Sequence, residues 1–191
     1  SDPALDAFKR GDFASAAAAW KLGAERGDPR ATYNLGYLLH GGLGLPKDSE
    51  KAIALWRTAA DKGFLEAQHS LCLAYLAGEG VPKDEAAALR WFATAARGGL
   101  PRAQYTLGKM YLDGIGGTSD EALGVRWLRA AAEAGEPRAQ YNMGKLARDG
   151  RGVDQNMVEA VAWFSAAASQ GHAGAQNHLG VRYMRGEGVG Q

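Results

Sequence analysis

Four histidines, one cysteine and a run of glycine-rich loops are the parts of this 191-residue chain that could do chemistry. His40, His69, His172 and His178 are scattered, and none stands in an H-E-x-x-H pair, the spacing that sets two imidazoles on one metal. With Cys72 as the single cysteine, neither a thiolate zinc cluster nor an intrachain disulfide can form. Loops such as Gly114-Ile115-Gly116-Gly117 have the backbone freedom to wrap a phosphate. They follow no strand-like run, and the G-x-x-x-x-G-K-[ST] spacing is absent, so they read as turns. No serine lies in a G-x-S-x-G elbow. Asp48, Asp84 and Asp120 each precede a helical run, where a cap belongs, and so do not read as an acid–base pair. These residues predict no catalytic group, no metal and no cofactor.

What organises them is a period of 36 residues. Ala31, Ala67, Ala103, Ala139 and Ala175 recur at this spacing, as do Leu35, Leu71, Leu107, Met143 and Leu179. Glycine pairs recur from Gly42/Gly44 to Gly186/Gly188, caps from Asp12 to Asn156, and single glycines from Gly27 to Gly171. A fixed period of this size means stacked units that bury their faces on one another. The unit Ala67–Arg102 reads as a helix over 66–77, a loop at Gly78-Glu79-Gly80-Val81-Pro82-Lys83, and a helix over 85–97 capped by Asp84. Gly99 stops the second helix and Pro101 suits the first turn of the next. The expected layout is one continuous repeat domain with an irregular unit at 1–27, repeats at 28–63, 64–99, 100–135 and 136–171, and a partial repeat at 172–191.

Composition narrows the function. Hydrophobic residues make up 46% and the net charge is +1, so no global field favours nucleic acid. No apolar run approaches the ~18 residues needed to enter a bilayer, which argues against membrane insertion. Cys72 stands where other units carry Gly36, Gly108, Gly144 and Gly180, so it reads as a buried small thiol at a close helix approach. Trp56 falls one position later in its unit than Trp91, Trp127 and Trp163, with Leu55 in the vacated slot. Both slots are expected to face the core. Gly124 reads as the weak member of an alanine column, costing ~0.5–1 kcal/mol relative to Ala. The loops are expected at an exposed edge that tolerates variation.

The pattern A-x-x-x-L-G-x-x-Y-x-x-G-x-G-V-x-x-D followed by A-x-x-W-x-x-x-A-A-x-x-G resembles the Sel-1-like repeat, a relative of the tetratricopeptide repeat. The resemblance covers nearly the whole chain and implies an all-α, right-handed superhelical solenoid of stacked antiparallel helix pairs, about eleven helices in all. It also implies a concave groove lined by the first helices. The candidate partner-binding residues are then Arg30, Tyr33, Asn34, Tyr37, His69, Arg102, Tyr105, Lys109, Arg138, Tyr141, Asn142, Lys145 and Arg148. Ser70, Leu73, His40, Leu76 and Leu112 belong to the same wider series of positions. Such a face suits another protein or an extended peptide carrying acidic residues or a free carboxylate, because tetratricopeptide domains that grip carboxylates use Asn and Lys at comparable positions. A competing reading packs Tyr105 and Tyr141 between adjacent first helices, with their hydroxyls at the rim.

The function expected is a non-catalytic scaffold or adaptor. The alternatives are self-assembly into an oligomer through the unfinished C-terminal repeat, and a cell-wall-related hydrolase. The start at Ser1-Asp2-Pro3 and the family resemblance suggest a bacterial protein, periplasmic or secreted; a cytoplasmic adaptor would look no different.

Overall fold

The structure is a computed structural model and describes residues 2–117 and 119–185. Among these residues are eleven helices: α1 (Pro3–Lys9), α2 (Phe13–Glu25), α3 (Pro29–Gly41), α4 (Ser49–Asp61), α5 (Leu65–Ala77), α6 (Glu85–Arg97), α7 (Pro101–Asp113), α8 (Glu121–Glu133), α9 (Pro137–Asp149), α10 (Met157–Ser169) and α11 (Ala173–Arg185). The expected final loop at 186–189 lies outside the described residues. The chain is all-helical, and successive helices pack as stacked pairs. It divides into two compact units, Ser1–Ala95 and Ala96–Gln191. In the first, each helix from α1 to α4 packs on its successor; in the second, each from α7 to α10 does so.

The second helices start where the caps foretell. The side chains of Asp12, Asp48, Asp84, Asp120 and Asn156 accept from the amides of Ser15, Lys51, Ala87, Leu123 and Glu159 at 2.8–3.2 Å. Each satisfies one amide that the first helical turn leaves open. The first helices end in left-handed glycines, Gly42, Gly78, Gly114 and Gly150.

Helix pairs close on a column of small residues. A methyl group added to Gly36 would fall 2.7 Å from the Trp56 indole nitrogen; one added to Gly144 would fall 2.7 Å from the Phe164 ring. At Gly108 it would meet Leu128 at 2.9 Å. Cys72 fills the equivalent place, wholly buried, with its thiol donating to the Gln68 carbonyl at 2.9 Å. Burial pushes this thiol well above the ordinary cysteine range, so it is protonated and inert.

The small-residue column also decides between the two neighbouring aromatic slots, which are not equivalent. Trp20, Trp56, Phe92, Leu128 and Phe164 share the slot opposite the column and are buried. Leu55, Trp91, Trp127 and Trp163 occupy the preceding slot and are only partly buried. The full cost of a buried tryptophan therefore applies to Trp56, not to the other three. Gly124 is likewise no weak alanine: a Cβ there would lie 2.8 Å from Leu112 Cγ and 2.9 Å from the Gly108 carbonyl oxygen. The loops are less tolerant than their exposure suggests. Gly44, Gly80 and Gly152 each rest on the preceding second helix, and a Cβ on Gly80 would sit 2.8 Å from the Ser49 backbone.

A column that the sequence reading passed over joins second helices from α4 onward to the first helix that follows. Gln68, Gln104, Gln140 and Gln176 donate from Nε2 to the carbonyls of Ala60, Ala96, Ala132 and Ala168 at 3.2–3.3 Å. Each of these carbonyls also accepts from the glycine amide of the turn, as Ala132 does from Gly135 at 3.0 Å. The spacing was visible in the sequence, but glutamine reads as a surface residue until its partner is seen.

Candidate functional site

In the first unit, α3, α4 and α5 enclose a cleft of about 260 Å³ lined by Tyr33, Tyr37, His40, Trp56, Ser70, Leu73, Ala74, Ala77 and Glu79. Trp56 is fixed by its indole N–H, which donates to the Tyr33 carbonyl at 3.2 Å. The His40 ring packs on the Trp56 ring with centroids 5.1 Å apart. Tyr33 lies 5.3 Å from Phe64 at the start of the next repeat, and the Ser70 hydroxyl donates to its Oη at 3.5 Å. Tyr37 and Leu73 remain 46% exposed. Glu79 reaches back from its loop to Lys47 Nζ at 3.1 Å and to His40 Nε2 at 3.7 Å. The hydrogen bond from Lys47, then the nearby His40 and Lys47 charges, hold its carboxyl below the usual carboxylate range.

The other candidates of this unit are placed differently. Arg30 is exposed at the start of α3, beside a separate cleft of about 210 Å³ that also holds Asp2, Trp20 and Asp28. Asn34 is half-buried on α3, and the His69 ring sits edge-on to Phe92 at 5.6 Å.

In the second unit the first-helix face is a set of cations laid on tyrosines. The Arg138 guanidinium lies 4.7 Å from the Tyr105 ring centre and the Lys145 ammonium 4.9 Å from that of Tyr141. Tyr141 also stacks on His172 at 4.5 Å and packs against Phe164 at 5.8 Å. Tyr33 and Tyr141 therefore both contact the following repeat.

Most of the basic charge on this face is already matched. Lys109 pairs with Asp113 at 3.0 Å, Arg138 with Glu136 at 2.8 Å, and Arg148 with both Asp149 oxygens at 2.6 and 2.8 Å. The Asn142 amide donates to the Arg138 carbonyl at 2.8 Å, so its donor is engaged locally. Arg102 is half-buried, its Nε without a hydrogen-bond partner among the described residues. Lys145 forms no ion pair among the described residues. Burial, then the Lys109 and Arg148 charges, lower its pKa below the ordinary lysine range. Leu112 turns inward against Gly124.

Sequence reasoning missed the roles of Trp56, Lys47 and Glu79. The signal for Glu79 was its place between two glycines: the middle residue of that loop lies over the preceding repeat, as Arg151 does where it meets Glu121 at 2.8 Å. Among the described residues no group of three or more His, Cys, Asp and Glu could hold a metal ion, and no helix is long and apolar enough to cross a membrane.

No curated protein matches the chain. Among solved structures, it is similar to a protective antigen present in uropathogenic Escherichia coli strains, described as having an SLR fold. The two share 42% identity over 91% of this chain and 37% of that one, with a TM-score of 0.85. The chain thus spans little more than a third of that protein's length. It is also similar to a Sel1 repeat protein from Oxalobacter formigenes, at 29% identity over 98% of this chain and 77% of that one, TM-score 0.86. An immunity protein from Pseudomonas aeruginosa matches at 25% identity over 84% of this chain and 58% of that one, TM-score 0.59. The Sel1 repeat itself matches five times in succession, over residues 29–64, 65–100, 101–136, 137–172 and 173–191, and the chain belongs to the Sel1 repeat family.

Proposed function

We propose that the chain is a non-catalytic scaffold that holds a partner protein or extended peptide on the first-helix face of its repeats. The observation that carries this reading is the aromatic-and-cation face of the second unit, where Arg138 lies on Tyr105 and Lys145 on Tyr141. Tyrosine and arginine are the usual anchors of protein interfaces. Lys145 supplies the charge preference. Its ammonium is crowded by Lys109 and Arg148, which Asp149 and Asp113 offset only in part, so a partner's acidic side chain or terminal carboxylate would relieve it. The similar proteins from E. coli and P. aeruginosa are a protective antigen and an immunity protein, which supports a bacterial setting; we place the chain in the periplasm or outside the cell.

The test is affinity capture from the source bacterium with the wild-type chain beside Lys145→Glu, with binding read by mass spectrometry and the fold by circular dichroism. A protein held by the wild type and lost by a folded variant supports the face. Equal retention by both counts against it.

A further inference from the structure

We propose that the cleft of the first unit is an arginine subsite: it takes the guanidinium of a partner peptide's arginine against its aromatic lining, with the charge met by Glu79. This rests on the scaffold reading and adds the chemistry of a second contact to it.

The lining is aromatic at Tyr33, Tyr37, His40 and Trp56, and among the described residues no lysine or arginine lines it. Its one formal charge is the Glu79 carboxylate, held ionised by its neighbours. Aromatic faces beside a carboxylate attract a cation, since the ring quadrupole and the carboxylate act in the same sense. His40 Nδ1 is buried and has no hydrogen-bond partner among the described residues. Its other nitrogen, Nε2, faces Glu79 at 3.7 Å. Glu79 can accept from a donor entering the cleft, and so can the Ser70 hydroxyl.

Lys47 shows that the carboxylate accepts a cation here, with its ammonium 3.1 Å away. It is 59% exposed and outside the lining, so its pairing is a weak surface one that a better-placed cation can replace. Arginine fits better than lysine because its guanidinium is planar, stacks on rings and carries five donors. A leucine or phenylalanine could fill the same volume. It would strip water from Glu79 without meeting its charge. Tyr37 and Leu73, both half-exposed, provide apolar cover for the arginine methylenes.

The probe is acetyl-Gly-Arg-Gly-amide, titrated into the whole chain beside its citrulline, lysine and leucine counterparts. Binding is read by calorimetry and by the NMR shift of the Trp56 indole N–H, which reports from the cleft. The arginine peptide is expected to shift that resonance and to bind about tenfold more tightly than uncharged citrulline of the same shape. Glu79→Gln should remove about tenfold of that affinity. Lys47→Ala should raise it severalfold by freeing Glu79 of its resident ammonium, a gain that a merely structural role for Lys47 would not produce. Both side chains are well exposed, so neither change threatens the fold.

A leucine peptide bound as tightly as the arginine one, a loss of affinity in Lys47→Ala, or no Trp56 shift with any peptide would each overturn the proposal. Failure here leaves capture through Lys145 of the second unit untouched, and failure of that capture leaves this titration readable.

Discussion

The Trp56 indole donates to the Tyr33 carbonyl at 3.2 Å, so one side chain both fills the core opposite Gly36 and lines the cleft. Trp56→Ala should therefore cost ~3–5 kcal/mol in urea unfolding, as for other buried tryptophans. Trp163, half-buried with its N–H on Glu159 at 3.2 Å, should cost less, about 1–3 kcal/mol. Equal losses would mean that the two neighbouring slots are equivalent after all.

Gly124→Ala separates intrinsic preference from packing. Helix propensity alone favours alanine by ~0.5–1 kcal/mol. The methyl group would meet Leu112 Cγ at 2.8 Å and the Gly108 carbonyl at 2.9 Å. Packing should win, with a net loss of about 1–3 kcal/mol by denaturant titration. A gain in stability would show that α7 and α8 separate freely.

Gln140 is the best-connected member of its column, since it donates to Ala132 and its Oε1 accepts from Gln170 at 2.9 Å. Gln140→Leu should cost about 0.5–1.5 kcal/mol for each hydrogen bond lost. The Ala132 carbonyl keeps its bond from Gly135, so the loss should stay near the low end. Gln140→Glu should be worse, because it turns a buried carboxylate towards a carbonyl. Thermal unfolding of the two variants side by side checks the order.

Glu79 should titrate below an ordinary glutamate when its carboxyl carbon is followed by NMR. A carboxyl depressed in the folded state supports folding above its unfolded pKa and loses that support as pH falls through the folded value. Lys47→Ala should move the titration up towards the ordinary glutamate range, since the Lys47 hydrogen bond is the largest cause of the shift. An unchanged titration would assign the shift to His40 instead.

Lys145 carries the opposite sense. Its folded pKa is lowered, so between that value and the unfolded one the unfolded chain binds more protons and stability rises with pH. The charged ammonium therefore opposes folding near neutrality. Lys145→Met should stabilise the fold at pH 7, and Lys109→Ala should raise the Lys145 titration seen by NMR. A less stable Lys145→Met would mean that the ammonium is worth more on the Tyr141 ring than its burial costs.

The sequence alone determined what is local or strictly periodic. The second-helix caps, the terminating glycines, the buried alanine and leucine columns and the small residue at Cys72 all follow from backbone needs that recur in every unit. Tertiary structure decided whatever depends on how neighbouring helices approach. Leu55 and Trp56 are adjacent on one helix, and only the Gly36 column opposite shows which of them is buried. The cation pairs of the second unit are by contrast local, Lys109 with Asp113 one turn on, Arg138 with Glu136 two residues before it and Arg148 with its neighbour Asp149, and were open to a reading of the sequence. Glu79 read as a turn residue. It becomes part of a cleft because stacking sets its loop over the preceding repeat, within reach of Lys47 and His40, and that distance is a property of packed helices rather than of any stretch of chain.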